Sequence, residues 1–213
     1  MNGLMSRISR NQAASVRAEL ADARGMSLIE MLVVLAIIGV LSVIAVPMTG
    51  GALASFRING DARSVSNQAA VAKMRAASAF SRTRLYVDLS AGTFYVETWD
   101  SATSSWTIES GVTALSPGVS FSFGPVTTAP PNTQGTIGQA PLCTDNMGAT
   151  IANTACVMFN SRGVPVDSTF APTSLDALYL TDGTVVHAVT VAATGMMRTW
   201  STPPVATPTW VRN

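Results

Sequence analysis

Charge is the scarcest commodity in this 213-residue chain: Asp, Glu, Lys and Arg make up 12% of it, about half the share of a typical soluble domain. Formal net charge is +1, so bulk electrostatics give no general attraction to nucleic acid. A single histidine, His187, and two cysteines, Cys143 and Cys156, exclude a multi-histidine metal centre and a four-cysteine zinc site. His187 lies mid-strand in Thr184-Val185-Val186-His187-Ala188-Val189 with no nucleophile or acid patterned beside it, and reads as structural. Phosphate-binding glycine loops, dinucleotide fingerprints, HExxH and paired-carboxylate patterns are all missing. The expectation is therefore a protein without catalytic residues and without a cofactor.

What the chain does have is one long apolar run. Residues 26–46 carry a single charged side chain, Glu30. As a helix rising ~1.5 Å per residue the run measures ~31 Å, close to the hydrocarbon thickness of a bilayer. Arg7, Arg10, Arg17 and Arg24 precede it against only Glu19 and Asp22, and no Lys or Arg follows until Arg57. This bias predicts a single pass with a cytoplasmic N-terminus and the remainder on the far side. A cleaved secretory signal fits poorly, because its apolar core is shorter, ~7–15 residues, and Pro47-Met48-Thr49 is a poor cleavage site. Glu30 needs a positive partner to lie in lipid at modest cost, and a free α-amino group would serve.

The segment Gly25-Met26-Ser27-Leu28-Ile29-Glu30-Met31 resembles the cleavage and methylation motif of type IV prepilins and type II secretion pseudopilins. The resemblance implies cleavage after Gly25 by a prepilin peptidase/methyltransferase and N-methylation of Met26. It implies that Glu30, fifth in the processed chain, meets the terminal amine of a neighbouring subunit during filament assembly. It further implies other pilins, an inner-membrane assembly platform and membrane lipid as partners. Pro47 stands where that family commonly kinks its helix, and Gly50 and Gly51 follow it. Met26 departs from the commoner phenylalanine, a change between two large apolar residues.

Beyond the run, Ala62, Val65, Ala69, Ala72, Ala76 and Phe80 recur at spacings of three and four, one face of a helix. Arg63, Lys73 and Arg75 point elsewhere and read as a solvated face. From about residue 81 the period becomes two. Leu85-Tyr86-Val87-Asp88-Leu89 and Thr93-Phe94-Tyr95-Val96-Glu97 predict a hairpin around Ser90-Ala91-Gly92. Further strands are expected at 105–108, 119–123, 156–159, 177–180, 185–191 and 196–200. Residues 126–142 read as a loop and 201–213 as a loose tail.

The expected architecture is α+β and pilin-like, a long N-terminal hydrophobic helix packed on a C-terminal antiparallel β-rich domain. Its parts are a cytoplasmic leader at 1–25, a transmembrane and assembly helix at 26–46, the outer half of that helix at 47–83, and the β domain at 84–213. Ser116-Pro117-Gly118-Val119, Phe159-Asn160-Ser161-Arg162-Gly163-Val164-Pro165 and Gly195-Met196-Met197-Arg198 resemble the H-type minor pseudopilins, the GspH/FimT-like group. That likeness implies a structural subunit of a type II secretion pseudopilus, used in protein transport, or alternatively a minor type IV pilin. Cys143 and Cys156 flank a polar loop; outside the cytoplasm a disulfide is permitted, the other reading being two buried thiols. DNA is an alternative partner, with Arg198, Trp200 and Arg212 as candidate phosphate and stacking contacts.

Overall fold

The computed structural model describes residues 26–109, 111–174 and 176–213, with backbone alone over 44–49. The expected leader and Gly25 lie outside the described residues. The chain divides into two units after Gly50, and each is taken by itself.

Helix α1, Leu28–Ser78, contributes its first part to the N-terminal unit. Its first turn closes with the Glu30 and Met31 N–H groups donating to the Ser27 carbonyl. Every described side chain from Met26 to Val43 is exposed. Helix runs unbroken through Pro47, Gly50 and Gly51. No helix among the described residues is long and apolar enough to cross a membrane. The described side chains of the apolar run stop at Val43, short of the ~20 residues a crossing takes.

The second unit, 51–213, is built on two antiparallel sheets. The first has the order β3-β2-β1-β5-β6, with β4 paired to the first two residues of β2. Its strands are β1 Thr83–Asp88, β2 Thr93–Asp100, β3 Ser105–Ile108, β4 Thr113–Ala114, β5 Thr154–Phe159 and β6 Pro165–Val166. The second has the order β10-β9-β8-β7, comprising β7 Ala177–Thr181, β8 Val186–Val191, β9 Met197–Thr202 and β10 Val211–Arg212. The α+β expectation therefore holds.

Both sheets pack on the C-terminal part of α1. Val65, Ala69, Ala72 and Ala76 pack with Leu85, Val87, Phe94, Val96 and Phe159 of the first sheet and Leu178, Leu180, Val189 and Val191 of the second. Alanine fits this seam because a small side chain lets a helix approach a sheet closely while still excluding water. Phe80 does not join them. The helix ends at Ser78, Phe80 takes a φ of 50°, and its ring is 86% exposed. The Ser81 N–H reaches back to the Ala76 carbonyl, the bond of a left-handed helix stop, so the period-3.6 pattern runs two residues past the helix itself.

Lys73 also departs from the solvated face expected for it. Its Nζ donates to the Thr194 and Gly195 carbonyls, both at 3.1 Å, and its stem lies against Gly163. A Cβ on Gly195 would come within 2.7 Å of the Gly163 carbonyl. Two of the short motifs noted in the sequence thus meet at one lysine of the helix. The third is tied to the same helix about three turns earlier: the buried Asp61 carboxylate accepts the Ser116 N–H and Oγ–H at 2.9 and 3.0 Å.

Two expectations, a strand at 119–123 and a loose tail, are reversed. Residues 119–123 form no strand; only Ser120 pairs, with Thr181. The alternation there serves packing, with Phe121 in the main core and Phe123 against a second one. The tail is not loose. Val211 and Arg212 pair with Ser201 and Trp200, and the Trp210 indole N–H donates to the Thr128 carbonyl. Together with Val126 and Ile137 of the long loop, Trp210 covers the face of the second sheet opposite α1. β8 is accordingly buried along its whole length, His187 included, and burial holds the imidazole below its ordinary pKa.

Candidate functional site

Three places carry the chemistry. The first is the start of α1. Met26 and Glu30 are both exposed there, the carboxylate one turn into a helix whose surrounding side chains (Ile29, Leu32, Val33, Val34) are apolar and equally exposed. An apolar helix with open sides is a surface awaiting cover by lipid or by other helices. A lone carboxylate on such a face becomes cheap to bury only against a cation.

The second place is the C-terminal edge. Arg198 on β9 and Arg212 on β10 line one cavity of about 320 Å³, beside Asn213 and Ser66. Trp200 does not join them. It is buried among Tyr179, Val186 and Ala188, and its indole N–H donates to Thr190 Oγ1 at 3.0 Å. The ring offers no face for base stacking, so Trp200 is withdrawn as a nucleic-acid contact.

The third place is the outer face of the first sheet, which the sequence reading did not single out. Cys143 and Cys156 form a disulfide, closing a loop whose Thr144 carbonyl accepts from Arg84 Nη1 at 2.7 Å. Arg84 is buried and paired with Glu97, both Nε and Nη2 reaching Oε2 at 2.7 and 2.6 Å. Burial still draws the Arg84 pKa below its ordinary value, against the opposing pull of Glu97. Its guanidinium lies 4.0 Å from the Trp106 ring centroid. Next along the same face, the Arg82 guanidinium lies over both Trp99 and Phe170, at 4.6 and 4.4 Å, and Tyr86 stacks on Tyr95. The signal that would have found this array is the other half of the strand alternation. Residues 82, 84 and 86 face 95, 97 and 99 across the β1–β2 register, and all six are aromatic or charged.

Residues 20–46 match the family described as the prokaryotic N-terminal methylation motif. Among curated proteins no sequence matches the chain. Two solved structures are similar to it. One is the minor pseudopilin EpsH from the Type 2 Secretion System of Vibrio cholerae, at 11% identity over 67% of this chain and 95% of that one, with a TM-score of 0.42. The other, a crystal structure of the same minor pseudopilin, shows 13% identity over 70% of this chain and 92% of that one, with a TM-score of 0.39. The methylation motif stands at the head of an α+β protein whose long helix packs on antiparallel sheets, and the chain is in this sense type IV prepilin-like.

Proposed function

We propose that this chain is a minor pseudopilin of a type II secretion system, a structural subunit of a short envelope filament. The observation that carries the reading is the methylation motif over 20–46, with Gly25-Met26 at the position of cleavage and methylation and Glu30 fifth in the processed chain. In this reading the prepilin peptidase cuts after Gly25 and methylates Met26. The processed protein waits as a single-pass inner-membrane subunit, its helix at 26–46 in lipid and its β domain in the periplasm. It then joins other pseudopilins at the inner-membrane assembly platform. Apolar packing along the helix drives that step, and Glu30 sets register by pairing with the terminal amine of a neighbour.

Intact mass and N-terminal peptide mapping of protein from native membranes test the reading. The expected product begins at N-methyl-Met26; a chain that keeps residues 1–25 beside an active prepilin peptidase would refute it. Glu30→Ala should be processed normally yet recovered in sheared filaments at a small fraction of the wild-type amount, and normal incorporation would remove the register role.

One observation favours a second reading, a minor type IV pilin serving pilus biogenesis or DNA uptake: Arg198 and Arg212 share one cavity. Two arginines neutralise about two phosphates, so binding would be weak and would fall only shallowly with salt, with a log–log slope of about −1.8. A gel shift at low salt that R198Q/R212Q abolishes supports it, and no retardation of DNA removes it.

A further inference from the structure

The outer face of the first sheet holds a cavity of about 340 Å³, walled by Trp99, Trp106 and Phe170 and floored by Met158. Its polar groups are the Arg82 guanidinium, Asp145, Asn146 and Ser168. Arg82 is the unusual member. Two rings hold its guanidinium, yet among the described residues it makes no hydrogen bond and no ion pair. Partial burial draws its pKa down, and no carboxylate pulls it back. A planar fork of five N–H donors is thus fixed by stacking and left without an acceptor, which is the preorganisation that favours a planar oxyanion.

We infer that this cavity binds an acidic saccharide, a hexuronate whose carboxylate docks on Arg82 while the sugar ring lies against the indoles. Three observations narrow the ligand to that class. Arg84, the other cation on this face, is already neutralised by Glu97, and Asp145 balances Arg82 in formal charge within the same cavity, so a dianionic phosphate is disfavoured and the unpaired Arg82 fork has room for one carboxylate at most. The outward N–H of Trp106 on the edge strand β3 is taken by Asn146 Oδ1 at 3.1 Å, so an extended peptide finds no backbone donor at that position for strand addition. Among the described residues the Asn146 amide N–H₂ and the Ser168 hydroxyl make no hydrogen bonds. They are placed to meet ring hydroxyls, and aromatic walls with a few convergent polar groups are the usual lining of a small-molecule site. The inference does not depend on the filament reading.

The test uses the full chain in a zwitterionic detergent that carries no sugar. Tryptophan emission is titrated with galacturonate and glucuronate, and in parallel with galactose, inorganic phosphate and an acetylated Gly-Glu-Gly amide. The expected result is a saturable change with at least one uronate and at least tenfold weaker responses to the other three probes. R82Q and R82K should weaken uronate binding at least tenfold while R198Q leaves it unchanged, the lysine failing because it keeps the charge and loses the fork. If R82Q does not fold, Phe170→Ala, which removes an exposed ring, must still weaken binding several-fold. Absence of a saturable uronate response, an equal response to galactose, phosphate or the acidic peptide, or undiminished binding in the folded Arg82 or Phe170 variants would overturn the proposal.

Discussion

Replacing Arg84 by methionine should cost this protein a large part of its stability. The side chains of Arg84 and Glu97 are 3% and 9% exposed, so R84M leaves a carboxylate buried without its counter-ion. Breaking a buried pair from one side typically costs about 3–5 kcal/mol. The Thr144 carbonyl loses its donor at the same time, worth about 1 kcal/mol more. Against a total stability on the order of 5–15 kcal/mol that is a major fraction, and it predicts a drop in melting temperature on the order of 10 °C. The double variant R84M/E97L removes both charges and should return to within about 1–2 kcal/mol of the parent, because two apolar side chains replace an ion pair that had to be desolvated. Urea melts of the four corners of this cycle, followed by near-ultraviolet circular dichroism at pH 7, give the coupling directly. A loss under about 1 kcal/mol for R84M, or a double variant as unstable as the sum of the singles, would refute the reasoning. Raising the salt concentration should leave the coupling nearly intact, since a buried pair is poorly screened.

Reducing the Cys143–Cys156 bond, which spans a sequence separation of 13, should destabilise the β domain by about 3 kcal/mol in the chain-entropy account; unchanged urea midpoints with and without reductant would contradict this. Gly195→Ala combines a φ of 70° with a Cβ 2.7 Å from the Gly163 carbonyl, and should cost about 2 kcal/mol or more in a thermal melt; a neutral substitution would show that the Lys73 junction is loosely packed. Asp176 is buried, and burial together with the charge of Asp167 pushes its carboxyl up to about 7, well above an unfolded value of about 3.9. Its protonated form therefore stabilises the fold below pH 4, and that contribution is lost as pH rises through 7. Asp176→Asn should match the parent at pH 4 and exceed it by up to about 4 kcal/mol at pH 8; a difference independent of pH between those values would refute the assignment.

The helix and the strand alternation were legible because burial has one partner face along each. Ala62 through Ala76 at three-and-four spacing identified the packed side of α1, and the Ser90-Ala91-Gly92 hairpin appears where Asp88 Oδ1 accepts the Ser90 and Ala91 N–H groups. The disulfide was legible from its spacing and the expected compartment. Short pieces such as β4, β6 and β10 were not, since two residues carry no period. The tail misled for another reason. Pro203, Pro204 and Pro208 suggest a chain without structure, yet Trp210 lies against Tyr179 with centroids 6.1 Å apart and fixes the segment by one aromatic anchor. Lys73 misled because a cation in a helix reads as solvent-facing, and only the Thr194 and Gly195 carbonyls reveal otherwise. The start of α1 was the most legible place of all, because its chemistry is contiguous in the chain.

The second sheet has an outer strand, β7, whose backbone is closed by its own loop. The Gln139 side chain donates to the Tyr179 carbonyl and accepts the Tyr179 N–H, while Ser120 exchanges both backbone bonds with Thr181. One side-chain amide thus stands in for a missing neighbouring strand. An open β edge is a template on which copies of a chain polymerise indiscriminately. The loop at 126–142, through Gln139, therefore shields this edge from self-templated aggregation. Shortening it would endanger solubility before it touched any binding surface.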